Sequence, residues 1–362
     1  GREMARETLS SIDRVWLQME GPPHPMMITA LLVFDAPIDL ERLQGVFSGR
    51  LLQYPRFRQR VVQDGGAEAW EDDPSFSLDR HLIQTFLPAP ADEEALRAVV
   101  SELISGQLDF SRPLWQFHLL EPYGSGCALV GRVHHCLADG PALMNVLLAL
   151  TDADPCSSSS GIAVQAPTAS PGPAPGIAAR LTELLVQQGF HVLFNPFRLR
   201  GLARLGTGTM AAMSKLLLRV PDPNTIFKGE LGAPKQVAWS RPLPLAEVKA
   251  VGRAVGGTVN DVMLAAATGA LRRYLVDRGK PVQGLNIRAG LSVNLRAPSA
   301  QPSLGNQSGA VLVELPVGLG TALDRLQHVK RGMDEIKNSP EASVVWALMN
   351  ALGKAPAETQ KT

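Results

Sequence analysis

The sequence has few cysteines and almost no net charge, and both features exclude classes of protein. Its 362 residues include three cysteines, Cys127, Cys136 and Cys156, and none belongs to a Cys-x-x-Cys pair. A small, odd number of cysteines argues against a disulfide framework and favours free thiols in a reducing, cytoplasmic compartment. The formal net charge is +1, which gives no sign of a nucleic-acid partner.

Long apolar runs are lacking, as are several common catalytic motifs. No run approaches the roughly 20 apolar residues that span a bilayer, and no secretory hydrophobic region opens the chain. Any membrane contact is therefore expected to be peripheral. Neither a P-loop nor a Gly-x-Ser-x-Gly elbow occurs, so an acyl-serine or acyl-cysteine intermediate is not supported. A loose dinucleotide pattern, GTGTMA at 206–211, has no predicted strand before it and is discounted.

Helix and strand patterns are mixed on both sides of a stretch rich in Ser, Pro and Gly. The chain is longer than one hydrophobic core usually serves. We therefore predict two α/β domains, over 1–151 and 177–362, joined by a linker or crossover at 152–176. Among the clearest elements are a buried strand over 25–35 and amphipathic helices that start near Leu40 and Asp92.

The stretch GRVHHCLADGPALM, residues 131–144, places two adjacent histidines between a predicted buried strand and a predicted buried helix. Asp139 and Gly140 suit the turn, and Pro141 suits the first helical position. Neighbouring strand residues point to opposite faces, so His134 and His135 are not expected to enter one pocket. We expect one working and one structural imidazole, which argues against a metal site.

The full pattern His-His-x-x-x-Asp-Gly resembles the signature of the coenzyme A-dependent acyltransferase superfamily, which includes chloramphenicol acetyltransferase and peptide-synthetase condensation domains. Further segments resemble the bacterial wax ester synthase/acyl-CoA:diacylglycerol acyltransferase family, in the correct order over nearly the whole chain. They contain Pro113, Leu114 and Trp115; Asn260 and Asp261; Asn294 and Arg296; and Gly305 and Asn306. The opening stretch SIDRVWLQMEGPPHPMMI is similar to the start of that family.

The resemblance implies two chloramphenicol-acetyltransferase-like domains, each a mixed sheet flanked by helices, with the active site at their interface. It implies transfer of a long-chain acyl group from acyl-CoA to a fatty alcohol, to diacylglycerol or to both, without a metal or a bound cofactor. His135 is then the general base, supported by His134. Asn260 is the candidate hydrogen-bond donor to the oxyanion.

The resemblance also implies that Asp139 holds its loop through an arginine, and the predicted strand start FRQRVV offers Arg58 or Arg60. The substrate-pocket candidates are Pro113, Leu114, Trp115, Asp261, Asn294, Arg296 and Asn306. Simpler interpretations compete, since a tryptophan is often a core residue and Asn260 and Asp261 stand where helix caps stand. The alternative functions are a condensation-type transferase that uses a carrier protein, and a non-catalytic lipid-binding protein of the same fold.

Two expectations concern the rest of the molecule. Family members continue beyond the position of Thr362 through an Asn-Val-Pro-Gly-Pro segment, so the second domain is expected to lack its last part. A separate piece that completes it, and a homo-oligomer, are both left open. The poorly soluble substrates imply a peripheral place on the inner membrane or lipid inclusions. Residues 189–208, with apolar aromatics beside arginines, suit an interfacial segment as well as a helix pair packed on the core.

Overall fold

The computed structural model describes residues 6–152, 222–296 and 304–354, and they form the mixed α/β structure that the sequence predicts. The strands are β1 (Glu7–Thr8), β2 (Met27–Phe34), β3 (Gln59–Asp64), β4 (Ala67–Asp72), β5 (Leu82–Phe86), β6 (Trp115–Tyr123), β7 (Gly126–His134), β8 (Ile287–Asn294) and β9 (Ser308–Leu315). The helices are α1 (Ser11–Gln18), α2 (Leu40–Gly49), α3 (Glu93–Ser105), α4 (Gly140–Ala149), α5 (Leu245–Ala254), α6 (Val259–Val276), α7 (Ala322–Lys337) and α8 (Glu341–Lys354).

Side-chain caps fix where six of these helices begin. A side-chain oxygen accepts a hydrogen bond from the backbone of the first turn, and this satisfies an N–H group that has no partner within the helix. The capping residues of α1, α2, α3, α4, α6 and α7 are Ser10, Asp39, Asp92, Asp139, Thr258 and Thr321. The histidine motif thus contains the cap of the helix that follows it.

The histidine motif ends a central strand of a four-stranded sheet. The strand order is β2-β7-β6-β5, with β5 parallel to β6 and the other neighbours antiparallel. Every residue of β7 is buried, because α3 covers one face of the sheet while α2 and α4 cover the other. A strand buried on both faces needs an apolar sequence throughout, and CALVGRV supplies one with Arg132 as its single charge.

Two smaller sheets complete the described part of the chain. One is antiparallel, with the order β1-β4-β3. In the other, β8 pairs with β9, and the inward residues of β9 pack against α7. The beginning and the end of the chain meet where α8 packs on α1, and a parallel bridge joins Ala138 to Gly305. The loop after β7 therefore touches the segment that precedes β9.

Several predicted elements are confirmed. The strand predicted over 25–35 is β2, and the helices predicted from Leu40 and Asp92 are α2 and α3. The linker from 153 to 176, the GTGTMA pattern and residues 189–208 lie outside the described residues. Among the helices that the structure does describe, none is long and apolar enough to cross a membrane.

Candidate active site

His135 directly follows β7 and lies where separate parts of the chain meet. Its backbone N–H donates to the carbonyl of Met26, 2.7 Å away, at the start of the neighbouring strand β2. Its ring stacks on the indole of Trp16 from α1, with centroids 3.8 Å apart and 14° between the planes. Its Nδ1 lies 2.9 Å from Oδ1 of Asn306. The imidazole is therefore fixed on one flat side and at one edge.

The Asn306 amide decides which nitrogen of His135 carries the hydrogen. Its Nδ2 donates to the carbonyl of His135 at 2.8 Å and to the carboxylate of Asp13 at 2.7 Å. A carbonyl and an ionised carboxylate only accept hydrogen bonds, so Oδ1 must face His135, and Nδ1 donates to it. Nε2 is then the unprotonated nitrogen, with the free electron pair of a base.

The surroundings of His135 favour its neutral form. Burial is the main cause that lowers its pKa from 6.5, while the hydrogen bonds and the nearby Asp139 charge partly oppose this shift. The imidazole is accordingly neutral at pH 7. A neutral imidazole with a free Nε2 can take a proton from a hydroxyl group.

The surroundings of His134 differ from those of His135. Its side chain is buried, and its Nδ1 accepts a hydrogen bond from the backbone N–H of Cys136 at 3.1 Å. Burial lowers its pKa to about 4. Its Nε2 lies 3.4 Å from Oε2 of Glu20 without the geometry of a hydrogen bond. Because the ring is neutral near pH 7, this contact is not an ion pair, and the contacts of His134 are those of a buried, packed side chain.

Asp139 connects the histidine loop to the C-terminal part of the chain. Its carboxylate caps α4 through the N–H of Ala142. Nη1 of Arg296 lies 2.8 and 2.9 Å from its two oxygens. The backbone N–H of Gln307 and the hydroxyl of Ser308 also donate to it. Only 1% of the Asp139 side chain is exposed, so it is a buried, fully bonded anchor for the loop that carries His135.

The arginine partner expected for Asp139 is corrected by these contacts, because it is Arg296 and not Arg58 or Arg60. Arg60 lies on β3, in a different sheet from the histidine strand, and pairs with Glu71 of β4. Arg58 is exposed and precedes β3. Arg296, expected in a substrate pocket, also donates through Nη2 to the carbonyl of Gly305 at 2.7 Å. It therefore joins the two segments on either side of residues 297–303.

The Pro-Leu-Trp segment lies in the hydrophobic core. Pro113, Leu114 and Trp115 are all buried. The Trp115 indole N–H donates to the carbonyl of Phe57 at 2.8 Å, and its ring stacks on His81. The core interpretation of Trp115 is therefore the one that its contacts support.

The remaining candidates are also mostly structural in their contacts. Asp261 is buried and forms a capping box with Thr258 at the start of α6. Asn260 is exposed in the same turn. Asn294 is exposed and accepts a hydrogen bond from the backbone N–H of Arg296. Gly140 is the exposed first residue of α4, with open space around its Cα. Of the substrate-pocket candidates, the structure brings only Asn306 into contact with His135.

An apolar cavity lies between the main sheet and α4. Gly131 and Val133 point to one side of the sheet, and both line the cavity, whose volume is about 200 Å³. Ile28, Leu143, Met144 and Leu147 are among the other lining residues. A side chain at position 131 would meet the ring of Phe117, since a Cβ there would lie 2.5 Å from it. Glycine at 131 thus leaves room for the ring of Phe117, which also lines the cavity.

A second cavity lies near the start of β2. A wider groove of about 650 Å³ lies between β2, α3 and residues 235–239, and Met26 lines it beside Met27 and Lys235. Among the described residues, no group of three or more His, Cys, Asp or Glu side chains is arranged to hold a metal.

The sequence interpretation missed Asp13 and Trp16 as site residues. Both lie on α1, inside the stretch SIDRVWLQME. In a single sequence, Ser10 and Asp13 have the spacing of an ordinary helix cap, and Trp16 suits a helix that packs on a core. The only signal for a functional role was the similarity of this stretch to the start of the family.

Comparisons with known proteins identify the family of the chain. The model of the wax ester synthase/diacylglycerol acyltransferase (WS/DGAT) catalytic domain matches residues 9–263, and that of the WS/DGAT C-terminal domain matches residues 304–362. The chain is 28% identical to the diacylglycerol O-acyltransferase tgs1 of Mycobacterium tuberculosis, over 96% of this chain and 75% of that protein. It is 30% identical to the Mycobacterium bovis diacylglycerol O-acyltransferase Mb0919, over 96% of this chain and 72% of that protein.

Solved structures show the same fold. The wax ester synthase/diacylglycerol acyltransferase from Marinobacter aquaeolei VT8 superimposes with a TM-score of 0.57 at 23% identity, over 98% of this chain and 79% of that chain. The first condensation domain of the calcium-dependent antibiotic synthetase superimposes with a TM-score of 0.59 at 17% identity, over 92% of this chain and 75% of that chain. These similarities confirm the expected fold, which acyltransferases share with condensation domains.

Proposed function

Since the chain belongs to the wax ester synthase/diacylglycerol acyltransferase family and is an acyltransferase enzyme, we propose that it moves a long-chain acyl group from acyl-CoA to the hydroxyl of a fatty alcohol or a diacylglycerol. His135 is the general base in this proposal. The observation that carries it is the hydrogen bond from Nδ1 of His135 to Asn306, which leaves Nε2 free.

The proposed reaction needs one base and no covalent enzyme intermediate. Nε2 of His135 takes the proton of the acceptor hydroxyl while its oxygen forms a bond to the thioester carbonyl carbon. The carbonyl oxygen then carries the negative charge of a tetrahedral intermediate. When the carbon–sulfur bond breaks, the CoA thiolate leaves and receives the proton from His135. The products are an oxygen ester and free CoA, and the base returns to its neutral form.

The apolar cavity beside α4 supports an alkyl-chain substrate. Its lining includes Ile28, Val133, Leu143 and Leu147 without a charged side chain, and Val133 lies two residues before His135 in the chain. Burying methylene groups in such a cavity stabilises binding by about 0.8 kcal/mol for each group. We place part of one substrate chain in this cavity.

The test is the replacement of His135 by Ala. Release of free CoA from acyl-CoA and a fatty alcohol is expected to fall by about 10²–10⁴-fold, the usual contribution of a general base, while acyl-CoA still binds. His328 on α7 is partly exposed and its ring lies 3.9 Å from Glu314, and His328→Ala is the matched control with normal turnover. Near-normal turnover of a folded His135→Ala protein would refute the mechanism. Acyl-carrier protein outcompeting acyl-CoA as the donor would favour a condensation-type reaction instead.

A further inference from the structure

We propose that Asp13 is a positioning residue for acyl transfer: its carboxylate holds the Asn306 amide in the orientation that protonates Nδ1 of His135 and leaves Nε2 free. This inference rests on the proposed role of His135 as the base. A carboxylate on α1, far from Asn306 in sequence, would thus determine which nitrogen of His135 carries the hydrogen.

Two acceptors face Nδ2 of Asn306. One is the carbonyl of His135, at 2.8 Å, and the other is the carboxylate of Asp13, at 2.7 Å. In the reversed orientation of the amide, Oδ1 would face both of these oxygens and repel them. Nδ2 would then face Nδ1 of His135, and the hydrogen of the imidazole would have to move to Nε2. With its hydrogen on Nε2, His135 is no longer a base toward the acceptor.

The burial of Asp13 is otherwise unexplained. It is 7% exposed, and among the described residues no lysine or arginine forms an ion pair with it. Burial is the main cause that raises its pKa to about 6, and the negative charge of Asp139 adds to this, while hydrogen bonds from Asn306 and Ser10 and the charge of Arg56 oppose it. A buried carboxylate without an ion pair is costly. We infer that the carboxylate is buried here because it must accept the hydrogen bond from Asn306.

The cap at the start of α1 does not need this carboxylate. The backbone N–H of Asp13 is itself capped by the Ser10 hydroxyl. A polar cavity of about 110 Å³ adjoins the contact, and Ser10, Asp13, Arg56, Gly305 and Asn306 are among its lining residues. The charged groups that face Asp13 are thus Arg56 and Asp139, with Glu7 at the rim of the same cavity.

The substitution Asp13→Asn isolates the positioning role because it keeps the shape of the side chain. A carboxylate only accepts, whereas an amide also donates. In the variant, the amide of position 13 can donate to Asn306 Oδ1, so the reversed orientation of Asn306 becomes accessible. Above pH 7, where Asp13 of the wild type is ionised, we expect the variant to populate the Nε2–H form of His135.

The direct measurement is nitrogen NMR of protein labelled with ¹⁵N-histidine, with the His135 signals assigned from a His135→Gln sample. In the wild type, Nδ1 is expected to be protonated and Nε2 unprotonated; in Asp13→Asn, both forms are expected. The opposite tautomer in the wild type would overturn the inference without any variant, so it stays testable even where Asp13→Asn does not fold. An unchanged tautomer in a folded Asp13→Asn protein would also overturn it.

Kinetics give a second readout that a merely structural role would not move. Asp13→Asn is expected to lower kcat on the order of 10²-fold, as a misplaced catalytic group does, with less effect on KM. Asp13 of the wild type, with a pKa of about 6, takes up a proton on the acid side of the rate profile, and a protonated carboxyl group can donate and no longer fixes Asn306. The variant lacks this ionisation, so the acid limb of its rate profile should move to lower pH. The matched control is Glu68→Gln, which breaks the 2.8 Å ion pair to Arg14 on the same helix and leaves the tautomer and the pH profile unchanged.

The two proposals fail in different ways. If His135→Ala is inactive while Asp13→Asn keeps the wild-type tautomer and pH profile, only the positioning role of Asp13 is wrong. If His135→Ala stays active, the proposed base is wrong whatever Asp13→Asn does.

Discussion

At the residue scale, the carboxylate of Asp139 shows how much of this site is set by one side chain. It receives hydrogen bonds from α4, from Arg296 and from residues 307 and 308. The motif predicted that Asp139 would be structural and arginine-bound, and its contacts have that form. The identity of the arginine could not be predicted, because the two residues are 157 positions apart. A single sequence holds no information on which distant strand returns to the loop.

Replacing Arg296 by Ala is expected to lower the free energy of unfolding by about 3 kcal/mol, because it leaves the buried Asp139 charge unpaired. Urea unfolding measures this loss. The control is Arg60→Ala, whose side chain is 31% exposed and whose partner Glu71 keeps a second arginine, Arg6. Such a pair contributes less than about 1 kcal/mol. A larger loss in Arg60→Ala than in Arg296→Ala would contradict the assignment of the Asp139 partner.

At the element scale, strand and helix patterns could be predicted wherever local chemistry decides them. The bounded apolar run over 25–35 predicted β2, an acidic first turn marked the start of α3, and Asp139 with Gly140 marked the start of α4. The neighbours of each strand could not be predicted. The parallel pairing of β5 with β6 and the place of β2 beside β7 depend on contacts between segments far apart in sequence, which periodicity does not encode.

At the start of α6, the structural role of Thr258 and the proposed catalytic role of Asn260 can be tested separately. Thr258 and Asp261 form the capping box, so Thr258→Ala is expected to lower the free energy of unfolding by about 1 kcal/mol and to leave kcat unchanged. Asn260 is exposed, so Asn260→Ala should not change stability. If Asn260 donates to the oxyanion, its replacement lowers kcat by about 10²–10³-fold. Urea unfolding and CoA release measure the two effects, and an unchanged kcat would remove Asn260 from the mechanism.

At the scale of the whole molecule, the site forms only when three segments that are far apart in sequence are folded together. Asn306 is 171 positions from His135 and 293 positions from Asp13. Titratable groups buried in this way also connect the site to stability, since their pKa values differ between the folded and unfolded states. His118 and His134 are buried, and burial lowers both pKa values from 6.5 to about 4. Asp13 has the opposite shift, from 3.8 to about 6.

The signs of these shifts predict how stability depends on pH. Between pH 6.5 and 4 the unfolded chain protonates both histidines while the folded protein keeps them neutral, so acid favours unfolding. Asp13 takes up its proton in the folded state over nearly the same range and opposes this trend. The two histidines outweigh the single aspartate. The lowered pKa values of His81 and His135 add to the destabilisation by acid. Stability should therefore fall as the pH decreases from about 6.5.

The substitution His118→Gln is expected to reduce this dependence on pH. One proton changes the slope by about 1.4 kcal/mol per pH unit, so the variant's free energy of unfolding should fall less steeply than that of the wild type between pH 6 and 5. Urea unfolding at several pH values gives the slope, which is independent of any constant loss caused by the substitution. His24→Gln, at an exposed position, should keep the wild-type slope. A wild type that is more stable at pH 5 than at pH 7 would show that the buried histidines do not dominate, because their neutral state in the fold requires the opposite trend.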